Sequence, residues 1–187
     1  MDAARSFPIQ APAWQGVPAG QPTWTAYIGA GGNLGDVRQA LNDAAQRLAA
    51  QPGVELLAVS PPYGSKPVDA DGPDYLNGVM AVRSCLGPHE LLAVLMSLER
   101  EADRQRPYRH APRTLDLDLL WYGNHQCDDE RLTLPHPRMM GRAFVLAPWL
   151  ALLKQMNTAP QSACPGVAWP DDAKLAEMIK IQGLWPI

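Results

Sequence analysis

Residues 115–119 read Leu-Asp-Leu-Asp-Leu. Strict alternation of apolar and acidic residues is the mark of a β-strand, which sends successive side chains to opposite faces. Leu115, Leu117 and Leu119 then turn toward apolar packing. Asp116 and Asp118 share the other face, with Cβ atoms about 7 Å apart, two rises of the strand. Like charges side by side on a sheet repel and destabilise it, so the pattern calls for a cation. Magnesium takes hard oxygen ligands, commonly one or two carboxylates together with substrate phosphates. Two such ions about 3.5–4 Å apart fit between paired carboxylates and a polyphosphate. The motif holds neither histidine nor cysteine, which speaks against a zinc site. The competing reading is a pair of solvated acids on a wet sheet face.

The surrounding charge favours the anion-binding reading. The 187-residue chain carries a net charge of -3, so nothing global attracts a nucleic acid or an anionic membrane. Yet eight of the twelve arginines lie between Arg100 and Arg142, five of them between Arg100 and Arg113. Arg104, Arg106 and Arg109 precede the acidic strand and Arg113 adjoins it. A guanidinium grips phosphate with two parallel hydrogen bonds and stays charged at any physiological pH. The alternative for these residues is a solubilising loop.

Residues 1–23 hold four prolines and no apolar period, and are read as a flexible extension to a single domain over 24–187. Strands are expected at 24–31, 54–60, 75–83 and 114–122, and helices from about Asp36 and from Gly87-Pro88. Long loops are expected at 61–73 and 104–112. Further on, a short strand near 131–134, a helical segment over 141–153, a loop over 158–171 and a last helix over Asp172–Ile181 are expected. The order β-α-β-β-α-β indicates an α+β domain with helices packed on an antiparallel sheet. Cys85, Cys127 and Cys164 are odd in number and form no CxxC pair, as suits reduced thiols in the cytoplasm. No apolar run reaches the roughly 20 residues that span a bilayer, and no signal-peptide core stands at the N-terminus.

Three other segments bear on chemistry. Pro135-His136-Pro137-Arg138 holds a histidine between two φ-restricting residues, and Arg142 and Phe144 follow as a cation and a flat ring. Tyr75 and Asn77 alternate onto one face of their strand, and an asparagine offers both a donor and an acceptor to the edge of a heterocycle. The run Gly29-Ala30-Gly31-Gly32-Asn33-Leu34-Gly35 fits neither the dinucleotide fingerprint nor the P-loop. It is a glycine turn that lets a backbone approach a ligand or simply reverses the chain.

Taken in order, YIGAGGNLGD (27–36), PDYLNGV (73–79), PRTLDLDLL (112–120), RLTLPHPRM (131–139) and RAFVL (142–146) resemble the 6-hydroxymethyl-7,8-dihydropterin pyrophosphokinases of folate biosynthesis. The resemblance implies a ferredoxin-like α+β fold and transfer of the β,γ-diphosphate of ATP to the pterin hydroxymethyl group, with AMP released. It implies two Mg2+ ions on Asp116 and Asp118, and roles for Arg104 and Arg113 in steadying the transferred group. ATP-binding positions implied are Glu99, Arg104, Arg106, Arg113, Arg131, Thr133, His136 and Arg142. Pterin-binding positions implied are Ser65, Pro67, Val68, Tyr75, Asn77, Asp116 and Phe144. The chain departs from the family pattern at Gly32, usually serine, at His110, commonly tryptophan, and at Asp103, usually glycine. A cytoplasmic monomer acting on small molecules, with no nucleic-acid or membrane partner, is expected. Two other readings of the same residues are a metal-dependent nucleotide hydrolase and a non-catalytic α+β binding module.

Overall fold

The first strand, β1 (Trp24–Gly32), runs out in glycines, and Asp36 then accepts a hydrogen bond from Gln39 N at 3.0 Å to start α1 (Val37–Ala50). Leu41, Ala44, Ala45 and Leu48 bury one stripe of that helix. After β2 (Val54–Val59), β3 (Tyr63–Ser65) and β4 (Tyr75–Ser84), Pro88 opens α2 (Pro88–Ala102). There Glu90 reaches back to Gly87 N at 2.6 Å, satisfying a donor that the helix cannot. β5 (Asp116–Tyr122) carries the acidic alternation. The computed structural model describes residues 20–67, 72–102 and 114–187.

All pairings are antiparallel. β5 pairs with β1 and β1 with β4, while β2 and β3 lie end to end along the far side of β4. This is the split β-α-β order of a ferredoxin-like sheet. α1 and α2 cover one face, where Leu41, Leu48, Leu91 and Leu95 pack against Ile28, Val82, Leu117 and Leu119. The other face packs Tyr27, Val79, Leu120 and Trp121 against a further helix, α3 (Ala143–Gln155), through Trp149 and Leu152.

A β-bulge separates the acid pair from the rest of β5. Tyr27 pairs with Trp121 but Ile28 pairs with Leu119, so Leu120 is the extra residue. Leu117 and Leu119 therefore face α1 and α2, whereas Leu120 and Trp121 both face the opposite cluster. The Leu120 carbonyl accepts from His136 N at 2.9 Å, which ties the Pro-His-Pro segment to the acidic strand.

A small hairpin of β6 (Cys127–Asp128) and β7 (Thr133–Leu134) follows, then a 3-10 turn at Met139–Gly141 and α3 (Ala143–Gln155). α3 is buried almost all round, from Ala143 to Leu153, which erases the amphipathic period that would have marked its ends in the sequence. The stretch 158–171, expected as loop, contains a short α4 (Pro160–Ala163). α5 (Asp172–Ile181) starts where expected, with Asp171 accepting from Lys174 N at 2.8 Å.

β8 (Leu184–Pro186) then adds to the sheet beside β3. β3, β6 and β8 were not expected, because two or three residues are too few to show an alternation. Among the described residues no helix is long and apolar enough to cross a membrane.

Cys164 is fully buried beside Trp149, and burial pushes its thiol up to about 12. At pH 8 the thiol then stays protonated, and the thiolate is the reactive form. Native protein treated with iodoacetamide should therefore keep Cys164 unmodified by peptide mass spectrometry. Modification of all three cysteines at equal rates in the native state would contradict this packing.

Candidate active site

The acids and their neighbours are assembled by register. Gly29 pairs with Asp118 and Gly31 with Asp116 across β1 and β5. Gly31 also pairs with Asn77 on β4, and Asn77 with Tyr63 on β3. One row thus crosses four strands as Asp116, Gly31, Asn77 and Tyr63, on the face that α3 covers farther along the sheet. The two glycines leave no side chain between the acid pair and Asn77. A Cβ placed on Gly31 would meet Asn77 Oδ1 at 3.1 Å and the Leu76 carbonyl at 3.2 Å, so the floor is closed to any larger residue without displacement.

The result is a cleft of about 490 Å³. Ser65, Tyr75, Asn77, Asp116, Asp118, Arg142 and Phe144, all expected from the sequence, line it. Ser65 and Asn77 are buried, and Asn77 Nδ2 donates to Ser65 Oγ at 3.0 Å and to the Tyr63 carbonyl at 3.4 Å. The amide is thereby held with Oδ1 over Gly31. Asp118 Oδ2 lies 3.6 Å from Arg142 Nη1 and 3.9 Å from His136 Nε2. Both separations exceed a hydrogen bond and leave Arg142 and His136 able to turn to another anion. The Arg142 guanidinium also sits 5.3 Å from the centre of the Phe144 ring.

His136 Nδ1 accepts from Arg138 N at 3.2 Å, so a neutral ring carries its proton on Nε2, the nitrogen nearer Asp118. Burial, the largest influence, pulls His136 below its ordinary range; Asp118 opposes this, and Arg142 and Arg138 reinforce it. Arg142 is likewise lowered, first by burial and then by Arg138, against the pull of Asp118. An arginine so shifted still stays charged near neutrality.

Other expected residues stand outside the cleft lining. Glu99 Oε1 accepts from Leu117 N at 2.8 Å on the outer edge of β5, occupying the strand's open side. Thr133 Oγ1 donates to Asp128 Oδ1 at 3.4 Å within the β6–β7 hairpin, and exposed Arg131 belongs to the same hairpin. Half-buried Pro67 follows the lining residue Lys66. Val68, Arg104, Arg106 and Arg113, with Asp103 and His110, lie outside the described residues.

Sequence reasoning missed Lys66, Arg138 and Gln182, which also line the cleft. Lys66 Nζ pairs with Asp74 Oδ1 at 3.0 Å. Gln182 follows α5, and its Oε1 accepts from Ala143 N at 2.8 Å while its Nε2 donates to the Gly141 carbonyl at 2.9 Å. It thus clasps the backbone on both sides of Arg142 and caps the start of α3. Nothing local in the sequence marks such a distant clasp.

The sequence profile of the 7,8-dihydro-6-hydroxymethylpterin-pyrophosphokinase family matches residues 27–154. The chain belongs to that family. It is 38% identical over 162 residues to the 2-amino-4-hydroxy-6-hydroxymethyldihydropteridine pyrophosphokinase of Synechocystis, covering 87% of this chain and 80% of that protein. The enzyme of the same name from Pseudomonas aeruginosa is 38% identical over 154 residues, 82% of this chain and 88% of its own length. That from Methylorubrum extorquens is 44% identical over 124 residues, 66% of this chain and 78% of its own.

α4, α5 and β8 lie beyond the residues that the pyrophosphokinase profile matches. The Gln182 clasp therefore adds a contact from outside the matched region. Gln182→Ala should lower unfolding stability by about 1–2 kcal/mol, since it leaves a donor and an acceptor unpaired. Gln182→Glu, which keeps the acceptor alone, should lose about half of that; urea midpoints measure both. Equal stability of all three proteins would show that the clasp carries no energy.

Proposed function

We propose that this cleft transfers the diphosphate of ATP to the hydroxymethyl oxygen of 6-hydroxymethyl-7,8-dihydropterin and releases AMP. The observation that carries the reading is the row Asp116, Gly31, Asn77. It sets a magnesium-type carboxylate pair and a buried amide on one sheet face, one glycine apart, in a chain of the pyrophosphokinase family.

The donor set fits magnesium: two carboxylates on a common face, opening on a cleft with no soft ligand among its described lining residues. Asp116 and Asp118 would hold two Mg2+ ions, which when bound neutralise charge on the polyphosphate. Arg142 and His136 turn from Asp118 to phosphate oxygens, with Arg138 beside them. Glu99, Arg131 and Thr133 contribute to the ATP side, and Arg104, Arg106 and Arg113 belong with them, Arg104 and Arg113 steadying the transferred group. Asn77 pairs with the pterin edge, its amide orientation held by Ser65 and the Tyr63 carbonyl, while Phe144 and Tyr75 offer flat faces. Pro67 and Val68 complete the pterin side, and Asp116 lies where both substrates meet.

The chemical step forms a bond between the hydroxymethyl oxygen and the β-phosphorus, and breaks the bond from that phosphorus to the α,β-bridging oxygen, which leaves with AMP. The hydroxyl proton passes to solvent water as the new bond forms. Arranging substrates in line and neutralising charge is the whole of the catalysis. The protein is read as a cytoplasmic monomer acting on these two small molecules.

The test is AMP release from ATP and magnesium, with and without hydroxymethyl-dihydropterin. AMP and diphosphorylated pterin should form in equal amounts, and only when the pterin is present. AMP or ADP released equally fast without it would sink the proposal in favour of a nucleotide hydrolase. Nucleotide binding without any turnover would favour a binding module.

A further inference from the structure

Away from the cleft, the first turn of α2 meets the β6–β7 hairpin, and three dissimilar side chains converge there. His89 Nε2 lies 2.8 Å from Asp129 Oδ2, Cys127 Sγ lies 3.1 Å from the same oxygen, and Sγ and Nε2 are 3.9 Å apart. The three ligand atoms thus lie no more than 3.9 Å from one another although His89 is 38 and 40 residues from its partners. We propose that His89, Cys127 and Asp129 form a binding site for zinc or a similar borderline-soft divalent cation, distinct from the magnesium-type acid pair.

Bond lengths of about 2.3 Å to sulfur and about 2.0–2.2 Å to nitrogen and oxygen place tetrahedral ligand atoms roughly 3.3–3.7 Å apart. The observed spacings bracket that range, so shifts of about half an ångström seat an ion. One thiolate, one imidazole and one carboxylate is a zinc-type set, and three protein ligands leave a fourth position for water. Magnesium, which avoids sulfur, is a poor match.

The carboxylate is already oriented. Asp129 Oδ1 accepts from Arg131 N at 2.8 Å and Leu132 N at 3.0 Å, which leaves Oδ2 aimed at the histidine and the cysteine. Outer hydrogen bonds of this kind fix metal ligands in place. The three residues also stand on separate supports: His89 in the first turn of α2, Cys127 in β6, and Asp129 in the turn that β6 and β7 enclose. Partial exposure of His89 and Asp129, at 44% and 45% of the side chain, gives an ion an entry path.

A cysteine nucleophile assisted by His89 is the other chemistry these residues suggest, and the geometry opposes it. The thiol donates to Asp129, not to the imidazole, whose Nε2 itself faces the same carboxylate oxygen at 2.8 Å. Activated cysteines need the reverse. An ion here pins the hairpin that carries Arg131 and Thr133 to the start of α2.

Cobalt reports the site directly. Reduced, EDTA-treated protein titrated with Co2+ should develop a thiolate-to-metal charge-transfer band in the near ultraviolet. The band should saturate at about one equivalent and be displaced by Zn2+. Cys127→Ser should abolish the band, His89→Ala should weaken Co2+ binding at least about tenfold, and Zn2+ should raise the melting temperature of the unaltered protein but not of Cys127→Ser. The acid pair has no sulfur, so cobalt bound there gives no such band. A missing band in the unaltered protein, or one that persists in Cys127→Ser, overturns the proposal.

Discussion

Asp118→Ala should cut pterin-dependent AMP release by roughly 10³-fold or more, and Asp116→Ala by at least as much. That loss corresponds to about 4 kcal/mol of transition-state stabilisation, at 1.36 kcal/mol per factor of ten. The size follows from the residues' placement. Both carboxylates stand on one strand over a glycine floor, and nothing else among the described cleft-lining residues supplies an anionic oxygen. Without magnesium the two like charges on one strand repel, and the Arg142 guanidinium 3.6 Å from Asp118 offsets part of that repulsion. Asp118 is 41% exposed at the side chain and sits in a cleft wall rather than in the packed core. Asp118→Asn in EDTA should accordingly change unfolding stability by less than about 1 kcal/mol, because relief of the repulsion is set against loss of the partly exposed Arg142 pair. An inactive Asp118→Asn variant of near-parent stability is expected, as where a residue serves function more than the fold. AMP assays and thermal melts on the same preparations check both halves. An Asp118→Asn variant with near-native turnover would remove the acid pair from the mechanism.

The second large effect concerns the pterin side. Asn77→Leu keeps volume and burial but removes the amide that donates to Ser65 Oγ and the Tyr63 carbonyl and places Oδ1 over Gly31. Sites built to hydrogen-bond a substrate lose heavily when a partner goes, because the remaining polar groups are left unpaired. The expected result is a fall in kcat/KM for hydroxymethyl-dihydropterin of about 10²-fold or more, with KM for ATP changed less than about twofold. That split separates recognition from general damage. Loss of the Ser65 and Tyr63 contacts alone should cost about 1–3 kcal/mol of stability, which affects both substrates equally once the protein is folded. An equal rise in both KM values would show that Asn77 acts through the fold alone.

The parts of the site that were legible in the sequence share a short period. The Leu-Asp alternation at 115–119 named a strand, a buried face and an acid pair at once, and β5 carries all three. Tyr75 and Asn77 were paired on a face by the same rule, and both line the cleft. The last helix was expected over Asp172–Ile181, and α5 spans those residues, with Asp171 as its cap.

The cleft itself was not legible. That Gly31 stands between Asp116 and Asn77 depends on which strand lies beside which, a matter of antiparallel register across residues more than forty positions apart. The bulge at Leu120 was hidden because an apolar residue following Leu119 continues an apolar run whichever face it takes.

Amino-acid order alone determined the longer strands and helices and the chemistry of the side chains offered, because these depend on neighbours a few positions away. Only the tertiary structure decided which side chains meet. Gln182 reaches Gly141 and Ala143 across about forty residues, and β8 joins β3 although neither is long enough to announce itself. The physical reason is range: periodicity and caps act within one or two turns of chain, whereas the cleft is made by contacts whose partners are chosen only when both faces of the sheet are buried.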